Sequence, residues 1–120
     1  MKLVSIIIPH YNGKELLYNC INSIYQNIEI EDFEIIVVDN GSTDDSVQNI
    51  KQLFSKVVII HNQNNVGYSG GCNIGAKNAQ GKYLLFLNND TEHSERWIEK
   101  LVNFLDSNPD TFAVQPKILN

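Results

Sequence analysis

The stretch "FEIIVVDNGSTDDSV", Phe33 to Val47, decides the fold. Ile35 to Val38 are β-branched without a break. A continuous apolar run, rather than an alternating one, suits a strand buried on both faces, as strands of a parallel sheet are. Asn40-Gly41 is turn chemistry. Ser42 or Thr43 is positioned to cap a helix, and Asp44 and Asp45 suit its positive end. Val47, Ile50 and Phe54 then recur on one helical face. The stretch therefore reads as a buried strand, a tight turn and a helix that returns along the sheet.

The same unit repeats on either side. Upstream, "LVSIII" from Leu3 to Ile8 reads as a strand that Pro9 stops, and Leu16, Leu17, Cys20, Ile21, Ile24 and Tyr25 form a helical stripe. Downstream, "KVVIIH" from Lys56 is a third strand, a helix runs from about Ser69 to Asn78, and "KYLLFL" from Lys82 is a fourth strand. Trp97, Ile98, Leu101, Val102 and Leu105 mark a further amphipathic helix ended by Asn108-Pro109, and "FAVQP" from Phe112 reads as a last short strand. Strands alternating with helices predict an α/β fold, a Rossmann-like three-layer α/β/α sandwich with a mostly parallel sheet. With 120 residues, one domain spanning residues 1–120 is expected.

The bulk composition narrows the function. The formal net charge is -5 and the basic residues are scattered, so no basic stripe exists for a nucleic acid. Cys20 and Cys72 lack metal or redox spacing, and Cys20 falls on the apolar side of its helix as a small hydrophobe. "MKLVSIIIPHYN" is not a secretory signal, since its apolar run is short and broken by Pro9. No run reaches the length of a membrane span. A reducing cytosol is expected.

In doubly wound sheets, ligands bind outside the carboxyl ends of the strands, where strand order reverses. Four polar segments should share that edge: "PHYN", "DNGSTDD", "HNQNNVG" and "NND". Asp39 reads either as a turn cap or as an acceptor for a base or ribose, because an ionised carboxylate only accepts hydrogen bonds. Gly67, Gly70, Gly71 and Gly75 surround a helix start. They match neither G-x-G-x-x-G nor G-x-x-x-x-G-K-[ST]. They serve either close helix–sheet packing or the approach of an anion to backbone. His10, at a strand end, is placed to touch a ligand, whereas His61 and His93 read as solvated loop residues. Asn88, Asn89 and Asp90 form either an Asx-turn or a half-site for a hard divalent ion completed by substrate phosphates and water.

Together the segments "SIIIPHYN", "EIIVVDNGSTDDS", "NVGYSGGCNIGAKNAQGKYLLFLNNDT" and "WIEKL" resemble the N-terminal half of family-2 glycosyltransferases, inverting enzymes with the GT-A fold. The resemblance covers nearly the whole chain. From Asn65 to Thr91 it looks most similar to bacterial rhamnosyltransferase-like members. It implies that Pro9, Tyr11 and Asn12 pack the nucleotide base, with the Tyr11 ring against it. It implies that Asp39 hydrogen-bonds a uracil or thymine ring, and that Asn65, Gly67 and Asn73 lie by the nucleotide. The family's D-x-D-type motif falls on Asn88, Asn89 and Asp90, so Asp90 inherits the Mg²⁺ or Mn²⁺ that bridges to the donor diphosphate. Amides at Asn88 and Asn89 depart from the acidic form of that motif and are placed to hold ribose hydroxyls.

The implied reaction transfers a sugar from a UDP- or dTDP-linked donor to a glycan or lipid-linked acceptor hydroxyl, with inversion. No residue here matches the family's catalytic base, which is expected beyond Asn120. Asp106 and Asp110 come too early for it. By the resemblance, the chain supplies donor binding and stops before the acceptor half. Apolar surface left open by that half would favour a homodimer. The full-length enzyme is expected in the cytoplasm, peripheral at the inner face of the membrane.

Overall fold

The computed structural model describes residues 2–90 and 97–107, apart from the side chains of Trp97 and Ile98. The elements run β1 (Lys2–His10), α1 (Lys14–Asn27), β2 (Phe33–Asp39), α2 (Ser46–Leu53), β3 (Val58–His61), α3 (Gly67–Asn78), β4 (Gly81–Phe86) and α4 (Trp97–Ser107). The expected last strand at residues 112–116 lies outside the described residues, as does His93. The strands form one parallel sheet in the order β3-β2-β1-β4. The chain steps outward from β1 to β3 and then returns to the far side of β1. The order therefore reverses between β1 and β4.

The central strands β1 and β2 are covered on both faces, which is why they read as continuous apolar runs, while Val58 of β3 and Leu84 and Phe86 of β4 are exposed. Val4, Ile6, Ile8, Ile35 and Val37 pack with Leu17, Cys20, Ile21 and Ile24 of α1, Ile50 of α2 and Val102 of α4. On the opposite face, Ile7, Ile36 and Val38 pack with Ile74 and Ala76 of α3. This is the three-layer sandwich expected from the alternation of elements. Leu16 departs from the expected apolar stripe and is half exposed.

Pro9 does not stop β1. It pairs with Val38 within the strand, which continues to His10. The physical reason lies in which side its nitrogen faces. Ile7 accepts from Leu87 on the β4 side, while His10 accepts from Asn40 on the β2 side. Alternate residues point the same way, so Pro9 turns its nitrogen toward β4. The last β1–β4 pair is Ile7 with Phe86. The missing N–H thus falls where β4 leaves the sheet, and it costs no bond to β2. Pro9 marks the parting of β1 and β4 rather than the end of β1.

Two glycines of α3 explain how closely that helix lies on the sheet. A Cβ at Gly71 would come within 2.9 Å of the Pro9 Cβ, and one at Gly75 within 2.4 Å of the Ile7 Cγ2. Helix–sheet packing is therefore the role of both. Gly75→Ala is expected to destabilise the fold by about 1–3 kcal/mol through overpacking. Urea unfolding will register this as a lower midpoint at unchanged slope. An unaltered midpoint would contradict the close packing.

Candidate functional site

The carboxyl edge of the sheet is built by three turns that need left-handed backbone. Asn12 (φ 52) and Gly13 (φ 107) follow β1, Gly41 (φ 89) follows β2 and Gly67 (φ 77) opens α3 after β3. At Gly41 a Cβ would also press on the Gln63 carbonyl at 3.4 Å. Asn adopts this region more readily than other residues bearing a Cβ, and at position 12 bonds to the next loop hold it there. Here the Asn12 Oδ1 accepts from the backbone N–H of Thr43 at 2.8 Å and of Asp44 at 3.3 Å. In return, the Asn12 N–H donates to Ser42 Oγ at 2.9 Å and the Gly13 N–H to Asp44 Oδ2 at 2.8 Å. The loops after β1 and β2 are thus stitched together, and the Asn12 side chain is committed to that seam.

This seam corrects the expected cap. Neither Ser42 nor Thr43 caps α2: the residue before the helix is Asp45, which makes no side-chain cap bond. Ser42 is taken by Asn12, and Asp44 instead accepts from both the N–H (3.2 Å) and the hydroxyl (2.5 Å) of Ser46. These bonds, led by the Ser46 hydroxyl, hold the Asp44 carboxyl below its ordinary range.

Asp39 ends β2 almost fully buried. Its Oδ1 accepts from the Ser42 N–H at 3.0 Å, which satisfies the turn-cap reading, while Oδ2 lies 3.4 Å from His61 Nδ1. His61 is the last residue of β3 rather than a loop residue, although its ring remains largely exposed. A cleft of about 700 Å³ opens beside Asp39, lined also by Ser42, Asp44, Gln48, Lys51 and His61. Next along the edge, Asn62 donates to Asn40 at 3.0 Å, and Asn40 donates to the Gly67 carbonyl at 3.3 Å. Asn65 accepts from the Gly67 N–H at 2.8 Å. Asn65 and Gly67 thereby shape the entry to α3.

At the switch point, Tyr11 is half exposed just beyond β1, with its ring open to solvent. Asn88, Asn89 and Asp90 follow β4. Cys20 donates to the Asn88 carbonyl at 3.8 Å. The Asp90 carboxylate is exposed and has no ion pair or hydrogen bond among the described residues. Asn73 is not brought to this edge cluster. It lines a groove of about 790 Å³ between α3 and β4, with Tyr68, Ser69, Cys72 and Phe86 among its neighbours.

The residue that the sequence reading placed only loosely is His10. Its ring is 1% exposed, with Nε2 at 2.7 Å from Ser46 Oγ and Nδ1 at 2.9 Å from Asn89 Nδ2. Burial lowers its pKa, against the pull of Asp39 and Asp44 in the opposite direction. The signal was available in strand parity. His10 shares the face of Ile6 and Ile8, so it points under the start of α2.

With this geometry established, the comparisons decide the family. The profile of "Glycosyl transferase family 2" matches residues 5–118. The chain belongs to glycosyltransferase family 2. An "Uncharacterized glycosyltransferase" of Haemophilus influenzae is 36% identical over 115 residues, covering 90% of this chain and 44% of that protein. The "UDP-Glc:alpha-D-GlcNAc-diphosphoundecaprenol beta-1,3-glucosyltransferase WfaP" of Escherichia coli is 34% identical over 118 residues, covering 94% of this chain and 45% of the relative. Among solved structures, S. aureus TarS in complex with UDP superposes with a TM-score of 0.80 at 26% identity, over 91% of this chain and 33% of that one. The chain thus spans less than half the length of these relatives. The sheet and its helices have the GT-A glycosyltransferase architecture. No helix among the described residues is long and apolar enough to cross a membrane.

Proposed function

We propose that this family-2 domain binds a nucleotide diphosphate sugar, UDP- or dTDP-linked, at the carboxyl edge of its sheet. It would serve as the donor half of an inverting glycosyltransferase in bacterial cell-surface glycan synthesis, acting on a glycan or lipid-linked acceptor hydroxyl. One observation carries the reading. Tyr11, Asp39 and the Asn89-Asp90 pair all lie at or just beyond strand ends on the same edge, with β1 and β4 parting between Tyr11 and the Asn89-Asp90 pair. Tyr11 offers a half-exposed aromatic ring for the base, and Asp39 offers a carboxylate to its imide N–H. Asn65 and Gly67 flank the nucleotide, Asn73 stays apart in the α3–β4 groove, and Pro9 forms the floor on which α3 rests.

Asp90 suits a divalent ion of the Mg²⁺ or Mn²⁺ kind as part of a shell rather than a whole one. It is a single exposed hard-oxygen donor, and no cluster of three metal-ligating side chains exists among the described residues. Such a site is completed by diphosphate oxygens and water, so metal and nucleotide bind together. The ion would supply charge stabilisation for the departing diphosphate. The protein's own part is to hold the base with Tyr11 and Asp39 and to hold ribose hydroxyls with Asn88 and Asn89. Proton removal from the acceptor is assigned to a carboxylate outside the described residues.

The test is a thermal-shift panel of UDP, dTDP and GDP sugars, each with and without Mn²⁺. Stabilisation by the UDP or dTDP series, larger with Mn²⁺, is the expected result. Equal response to all three series, or none to any, would contradict the reading.

A further inference from the structure

The chain Asp44–Ser46–His10–Asn89, buried at Ser46 and His10 and open at its Asp44 end, has one consistent pattern of protons when His10 is neutral, the form its burial favours. Asp44 only accepts, so the Ser46 hydroxyl gives it its single hydrogen at 2.5 Å. Ser46 Oγ can then only accept from His10, so His10 Nε2 must carry a proton across their 2.7 Å contact. In a neutral imidazole that leaves Nδ1 as an acceptor. Facing it at 2.9 Å is the amide of Asn89, which must therefore present its NH₂ group. The second, long contact of that NH₂, to the Asn12 carbonyl at 3.5 Å, agrees with the same orientation. The amide oxygen on the other arm has no hydrogen-bond partner among the described residues.

We propose that His10 is a positioning residue for the donor nucleotide: it locks the Asn89 amide so that Oδ1 is offered to a ribose hydroxyl at the β1–β4 switch point. The inference rests on the nucleotide reading above and adds a residue to it. His10 touches no ligand itself. It transmits to Asn89 a proton order that begins at the Asp44 carboxylate, one loop away on the seam after β2. A rotated amide would put NH₂ where an acceptor is needed. It would also set the amide oxygen against the His10 lone pair.

Two substitutions separate the arms of the ring. Asn at position 10 can replace Nδ1 with an amide oxygen, retaining the acceptor for Asn89. Gln reaches the Nε2 position and retains the link to Ser46 but not that acceptor. His10→Asn is expected to bind UDP within about threefold of wild type, whereas His10→Gln loses about tenfold, the scale of one hydrogen bond. In the free wild-type chain, ¹⁵N NMR of His10 is expected to show the proton on Nε2. This readout needs neither ligand nor variant. A proton on Nδ1, or His10→Gln binding as tightly as wild type, would overturn the proposal. A loss in His10→Asn equal to that in His10→Gln would do the same. A wild-type chain with the Nε2–H tautomer that binds no UDP would instead overturn the nucleotide reading, and His10's role toward a ligand with it.

Discussion

Asp39→Ala is expected to weaken UDP binding by about 10- to 100-fold, measured by calorimetry, while the chain stays folded. A hydrogen bond to a charged acceptor is worth about 1.5–3 kcal/mol, and each 1.4 kcal/mol is about tenfold in affinity. The side chain has a second duty, since its Oδ1 accepts from the Ser42 N–H at 3.0 Å. Its removal also costs some stability, so the alanine variant alone mixes two effects. Asp39→Asn separates them. It keeps an oxygen for Ser42 while turning the other arm into a donor, which repels an imide N–H. The asparagine variant should therefore melt close to wild type and still lose UDP. If it binds UDP normally, Asp39 is a turn cap and nothing more.

Asp90→Asn is expected to remove the metal dependence of nucleotide binding without affecting the fold. The carboxylate is exposed and has no partner among the described residues, so its loss breaks no bond within them. Two unit charges about 4 Å apart are worth about 1 kcal/mol in water and about 4 kcal/mol near a protein surface. An exposed group sits toward the lower figure, which makes the expected loss of UDP affinity in Mg²⁺ about tenfold. In EDTA the wild type and Asp90→Asn should bind alike. A wild type indifferent to Mg²⁺ and Mn²⁺ would contradict the role given to Asp90.

The layers of this fold were legible because burial on both faces leaves its mark on a strand. Ile35 to Val38 and Ile6 to Ile8 are apolar without alternation, and each meets helices above and below. What stayed hidden depended on partners distant in sequence. Pro9 looked like a terminator because its rule concerns a lost N–H, and only the sheet order shows that this N–H faces the departing strand. Ser42 and Thr43 looked like caps by position. They are instead claimed by Asn12, some thirty residues upstream; the Asn12-Gly13 dipeptide signals its left-handed turn, but nothing local signals its partners. Gly71 and Gly75 belonged to a phosphate-loop question in the sequence and to a packing answer in the structure. The edge residues Tyr11, Asp39 and Asp90 were legible as strand ends, which follows from topology. His10 was legible as a position but not as the link between two loops, because its partners Ser46 and Asn89 come from α2 and from the turn after β4.

The central claim is that one nucleotide spans the carboxyl edge, with its base at Tyr11 and Asp39 and its diphosphate at Asp90. The direct measurement is an amide NMR map of the chain titrated with UDP, first with Mg²⁺ and then with Mn²⁺. The account predicts shifts at Tyr11, Asp39 and Asn40 with UDP, and Mn²⁺ broadening centred on Asn88 to Asp90 only when UDP is present. Shifts gathered at the opposite edge, around Lys2, Phe33 and Gly81, or Mn²⁺ broadening that ignores UDP, would contradict it.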